Sequence, residues 1–174
     1  LERIPLSEAV VDKDARTVRQ RLIREGMSKN RRRYSAEVLQ NAASLFEGVQ
    51  TYANHPSKTD MKDRPERNVR DITGWISDVR YEEGALVGTR HFTRNQAGDD
   101  VWGLVTDIIE GKAPESLLGA SINAVGHASR EEDDHGEYIA VEAITGVVSV
   151  DDVTTPAAGG GFMRESDPDE LLQQ

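Results

Sequence analysis

Apolar residues along the chain follow two different periods. Between Ser35 and Gly48, the residues Val38, Leu39, Ala42, Leu45 and Phe46 recur on one side of a repeat of about 3.6 residues. Ser35 is placed to cap the first turn, Glu37 lies inside it and Gly48 ends it, so the stretch predicts a helix. A second helix is predicted over 99–110, where Val101, Leu104, Val105, Ile108 and Ile109 share a face, acids fill the first turn and Gly111 follows the end.

Elsewhere the repeat shortens toward alternation. The stretch ITGWISDVRYEEGALVGTRHF, residues 72–92, reads as a β-hairpin with its turn at the EEG sequence. Two further strands, over about 116–128 and 137–151, flank the acidic turn SREEDDHGE. VQTYANHP alternates briefly and stops at Pro56, ahead of a charged loop from Ser57 to Arg70. RTVRQRLIRE fits both periods: Val18 and Leu22 are spaced for a helix, but Val18, Gln20 and Leu22 also alternate with Arg19, Arg21 and Ile23. Strands outnumber helices and hairpins join most of them. The expected class is therefore mainly β with α, an antiparallel β-barrel, closed or nearly so, flanked by helices. Residues 1–14 lack periodicity and read as a flexible leader, and residues 163–174 as an acidic solvated tail, which leaves 15–162 as a single domain.

Composition narrows the chemistry. The chain has 174 residues, no cysteine and a formal net charge of −10. The absence of cysteine excludes a thiol nucleophile, disulfides and the usual structural zinc site, and fits a reducing cytoplasm. No apolar run approaches the roughly 20 residues that cross a bilayer, and the first residues do not resemble a secretion signal, so no membrane role is expected. The acidic balance argues against a nucleic-acid binder. The charge is uneven, however: nine of the 21 basic residues lie between Lys13 and Arg33, while the run from Glu131 to Asp134 is acidic. A metal site built on His55, His91 and nearby acids lacks the close histidine spacing such sites use, and no metal or organic cofactor is expected.

In LLGASINAVGHA, a lone hydroxyl, Ser121, sits among small and apolar residues. On a strand, Leu118, Ala120 and Ile122 share one face and Gly119, Ser121 and Asn123 the other. A serine hydroxyl becomes nucleophilic when a base, most often a histidine oriented by a third polar group, accepts its proton. Four histidines are present. His135 lies among acids in a turn, and His127 is six residues along the same strand, roughly 20 Å away at about 3.3 Å per residue. His91 sits beside Phe92 within a hairpin strand. His55, between Asn54 and Pro56, ends an ordered segment where an imidazole can be both fixed and accessible.

Several segments together resemble one family. GMSKNRRRYSAEVLQNAASLFEGVQTYANHP resembles the opening of bacteriophage prohead proteases, which digest scaffold and trim capsid protein during head maturation. LGASINA resembles the family's nucleophile strand, and ITGVVSVDDVTTPAAGGGF its later strand and Pro-Ala loop. In one place the chain departs from the pattern: Arg31 to Arg33 stand where a glycine usually follows the Lys-Asn pair. The resemblance implies a fold like that of herpesvirus assemblins, a β-barrel surrounded by helices in which 16–25 is a strand. It implies Ser121 as nucleophile, His55 as general base and Asp151 as the orienting acid, with Asp152 and Glu142 as alternatives for that third role. Backbone amides of Gly159, Gly160 and Gly161 are the candidates for an oxyanion hole. Scaffold protein, the major capsid protein and the chain's own ends are the implied substrates, inside the procapsid in the host bacterial cytoplasm, with a homodimer or higher oligomer as a further expectation. The rival reading is a catalytically inactive protease-like barrel retained as a scaffold or capsid-assembly module, with the same fold and charge asymmetry.

Overall fold

The computed structural model describes residues 11–28, 30–63 and 66–154, and the backbone of 163–165. Its elements run β1 (Val11–Asp12), β2 (Thr17–Arg24), β3 (Gly26–Met27), β4 (Arg32–Tyr34), α1 (Ala36–Ala42), β5 (Gln50–Ala53), α2 (Lys58–Asp63), β6 (Ile72–Glu82), β7 (Ala85–Phe92), α3 (Gln96–Ile109), β8 (Leu118–Asp133), β9 (Gly136–Thr154) and β10 (Met163–Glu165). The strands form one ten-stranded sheet in the order β1-β2-β7-β6-β5-β9-β4-β3, with β8 along the other edge of β9 and β10 beyond β8.

The expected closed antiparallel barrel is corrected in two respects. The sheet is open, because β1 covers the outer edge of β2 at Val18 and Thr17 while β10 covers that of β8 at Ala120–Ile122, so these two edges do not pair with each other. It is also mixed: β4 and β5 both run parallel to β9, and β10 runs parallel to β8. The α+β class stands. The ambiguous segment is a strand, β2, alternating buried Val18, Gln20 and Leu22 with partly exposed neighbours before a bulge near Ile23. Val11 and Asp12, expected in a mobile leader, pair with β2, and Met163–Glu165, expected in a solvated tail, pair with β8.

The hairpin of β6 and β7 turns at Glu83 and Gly84, both with positive φ (48° and 83°), the type I′ geometry that matches strand twist. The β8–β9 hairpin is longer than its sequence pattern suggests, running to a turn at Asp134–His135. Bulges after Asn123, Val125 and His127 let it coil. At one of them Gly126 approaches so closely that a Cβ there would lie 2.0 Å from the Ala143 carbonyl oxygen.

Two clusters of side chains form the core. One packs α1 through Val38, Leu39 and Ala42 onto Leu22, Ile76, Leu86, Ile122 and Val150. The other packs α3 through Val101, Val105 and Ile108 onto Val18, Phe92 and Leu118. α1 is shorter than its apolar repeat predicts, because the chain tightens into a 3₁₀ turn over Ala43–Phe46. The tighter pitch advances each side chain by about 120° instead of about 100°, which leaves Phe46 buried but turns Leu45 out to solvent. α3 begins earlier than predicted because Asn95 caps it, accepting from the Gly98 amide. Within the stretch expected as a charged loop, Ser57 and Asp60 bond reciprocally to each other's backbone amides and start α2, which buries no residue.

Candidate active site

β8 and β9 place Ser121 directly opposite Asp151 in their antiparallel ladder. Alternation along β9 sends Val150 and Asp152 to the core face and Asp151 to the opposite face. Next to Asp151 runs β5, with Tyr52 in register, and the chain leaves the sheet just beyond it at Asn54. Asn54 takes the left-handed conformation (φ 66°), which asparagine tolerates better than most side chains, and its amide donates to the Asp152 carbonyl at 2.7 Å. Pro56 then holds the preceding residue, His55, out of the helical region. These local constraints return the imidazole over the Ser121–Asp151 pair.

His55 Nδ1 lies 2.7 Å from Asp151 Oδ2, and His55 Nε2 lies 2.7 Å from Ser121 Oγ. A carboxylate can only accept, so Nδ1 carries the proton and Nε2 is left to accept from the serine hydroxyl. Ser121 and Asp151 are fully buried, while the His55 side chain is 38% exposed. The second Asp151 oxygen, Oδ1, accepts from Arg67 at 3.1 Å, and the same guanidinium donates to the Asn54 carbonyl at 2.7 Å. Arg67 also lies over the Tyr52 ring, 4.2 Å from its centroid, a cation–π contact. Burial raises the Tyr52 phenol above its ordinary range, and its hydroxyl donates to Gln50.

Asp152, an alternative for the orienting acid, serves a separate network on the core face. Arg90 donates to both of its oxygens at 2.9 and 3.1 Å, Thr73 donates at 2.7 Å, and Gln20 accepts from Arg90 at 3.1 Å. Glu142 is exposed on β9, nine positions before Asp151. Neither reaches His55 or Ser121. Gly159, Gly160 and Gly161 lie outside the described residues. Of the other histidines, His135 and His127 are exposed, and His91 stacks on Trp75 at 4.6 Å and pairs with Ser77 Oγ at 2.7 Å. Among the described residues no cluster of histidine and acidic side chains fits a metal ion.

Sequence reading missed Arg67, Asn54's special backbone and Tyr52. Arg67 stands among many charges between Ser57 and Arg70, and only its contacts with Asn54, Tyr52 and Asp151 single it out. Chemically, the arrangement is a hydroxyl, an imidazole and a buried carboxylate in series, each polarising the next. That order is the one that turns a serine into a nucleophile.

No family model and no curated protein matches the chain. Among solved structures, the bacteriophage T4 capsid assembly protease gp21 is similar in fold, with a TM-score of 0.54 and 17% sequence identity over 80% of this chain and 82% of that one.

Proposed function

We propose that this chain is a serine endopeptidase of phage procapsid maturation, with Ser121 as nucleophile, His55 as general base and Asp151 as the acid that orients the imidazole. One observation carries the reading: the two consecutive 2.7 Å hydrogen bonds that link Asp151, His55 and Ser121 across two strands and a loop. The fold likeness to a capsid assembly protease supports capsid-related substrates, among which the reading includes the scaffold and the capsid protein.

In the reaction, Ser121 Oγ attacks the scissile carbonyl carbon as its proton passes to His55 Nε2. The resulting imidazolium is held by the Asp151 carboxylate. Collapse of the tetrahedral oxyanion breaks the C–N bond, and the Nε2 proton leaves with the amine, giving an acyl-enzyme ester on Ser121. Water then attacks the ester while His55 takes its proton, the C–Oγ bond breaks, and the returned proton restores the serine hydroxyl. Arg67 is a positioning residue, since it touches the acid and the backbone that carries the base but neither reacting atom.

The test is co-expression with a candidate scaffold and capsid protein, comparing the native chain with Ser121→Ala by intact mass. Defined fragments with the native chain that vanish with the substitution are expected. Identical products from both chains, with assembly confirmed, overturn the reading in favour of an assembly module.

A further inference from the structure

The stretch of β8 that carries Ser121 has a neighbour on each edge. On one side is β9, and on the other is β10, which runs parallel to β8 with Met163 opposite Ala120, Arg164 opposite Ser121 and Glu165 opposite Ile122. The chain thus sets an extended segment of its own C-terminal region against the nucleophile, with one residue in register with it. Ser121 itself exposes no surface, although the imidazole bonded to its hydroxyl is 38% exposed. An extended peptide that pairs with a strand edge binds through main-chain hydrogen bonds, which are independent of sequence, and takes its specificity from alternate side chains. An uncovered strand edge is also the part of a sheet most ready to accept another chain.

We propose that the outer edge of β8 at Gly119–Asn123 is the peptide-binding site, that an extended polypeptide adds there as a strand parallel to β8, and that residues 163–165 occupy this site in cis and compete with it. The proposal deepens the protease reading and rests on it for the role of Ser121. It fixes the polarity of the bound polypeptide, whose residues N-terminal to the point opposite Ser121 lie toward Leu118 and whose following residues lie toward Asn123. It also makes residues 163–165 a brake, since a peptide pairs with this edge only when that strand leaves. If the cis strand holds the edge for about nine-tenths of the time, apparent affinity for a peptide in trans falls about tenfold.

The probe is a fluorescent synthetic peptide with the sequence of residues 159–168, GGGFMRESDP. Its binding is followed by anisotropy to the full chain carrying Ser121→Ala, with and without the paired changes Met163→Pro and Arg164→Pro. Successive residues of a strand direct their amides to opposite edges, so whichever of the two N–H groups faces β8 is removed by one proline. The expected result is about tenfold tighter binding to the proline variant. Equal affinity for both chains overturns the proposal.

A second measurement needs no proline. In the full-length Ser121→Ala chain, amide hydrogen exchange at residues 163–165 is expected to accelerate as the peptide saturates the site. Unchanged exchange at full occupancy overturns the proposal. Tighter binding to the proline variant, with no cleavage by any Ser121-containing chain, sustains the edge site and defeats the protease reading. Cleavage by the native chain with neither binding nor exchange affected defeats the edge site alone.

Discussion

Arg67 is the residue whose removal tests how the proposed triad is held. Its guanidinium joins the Asp151 carboxylate and the Asn54 carbonyl, so a single side chain fixes both the acid and the turn that delivers the base. Its side chain is 15% exposed and the Asp151 side chain is fully buried. Hydrogen bonds to charged groups contribute about 1.5–3 kcal/mol, and a buried carboxylate oxygen left without its partner loses that much. Two effects oppose each other in Arg67→Met. Loss of a positive charge near Asp151 favours the imidazolium that forms in the transition state, while loss of the bridge lets Asp151 and His55 drift from alignment. At this short range the geometric term dominates, because the 2.7 Å bond from His55 to Asp151 needs both partners fixed. With about 1.4 kcal/mol for each tenfold in rate, Arg67→Met is expected to lower kcat about 10- to 100-fold with KM little changed. Arg67→Lys keeps the charge but lacks the fork that reaches two acceptors, and is expected to recover only a small part of the loss. The assay is steady-state cleavage of a peptide taken from the confirmed substrate, with folding of each variant checked by circular dichroism. A folded Arg67→Met chain within about twofold of the native kcat, or complete recovery by lysine, refutes the reasoning.

Asp152, one residue from the acid proposed to orient the imidazole, has a structural part to play instead. Asp152→Ala leaves the Arg90 guanidinium, whose side chain is 2% exposed, without its carboxylate. Breaking a buried pair in this way is expected to cost about 3–5 kcal/mol in urea unfolding, and a cost below about 1 kcal/mol contradicts the assignment. His91 sets a pH dependence of stability: burial holds its imidazole below the ordinary histidine range. Between the two values the unfolded chain binds more protons, so the neutral histidine's contribution is complete above a pH of about 6.5 and is lost as pH falls from there through the lowered value of the folded chain. His91→Gln is expected to flatten the fall in urea midpoint between about pH 7.5 and pH 5.5, and an unchanged slope contradicts this.

Local chemistry explains what could be read from the sequence. The I′ turn at Glu83–Gly84, the cap at Ser35 and the apolar faces of α1 and α3 are decided within a few residues of chain, and all are visible there. The proximity of His55, Ser121 and Asp151 is not local. It entered through a resemblance of motifs, which kept Asp152 and Glu142 as rivals to Asp151, although alternation along the strand puts both on the face opposite Asp151 unless a bulge intervenes. The ladder that sets Ser121 opposite Asp151 separates them, because it sends Asp152 to Arg90 on the other face. Barrel closure was misjudged for a related reason. Short strands such as Val11–Asp12 and Met163–Glu165 carry too few residues to show a period, yet they cover the edges on which closure depends. Arg67 was hidden by its company, since one charge among many in a polar loop acquires meaning only through the partners that tertiary structure gives it.

The central claim is that Ser121 is an activated nucleophile. The most direct measurement is treatment of the native chain with a fluorophosphonate, followed by intact mass and peptide mapping. A nucleophilic Ser121 Oγ displaces fluoride from phosphorus and leaves one stable phosphonyl ester. The account predicts a single adduct on Ser121, absent from Ser121→Ala and from His55→Ala. A folded native chain that stays unlabelled, or a label that persists in Ser121→Ala, contradicts it.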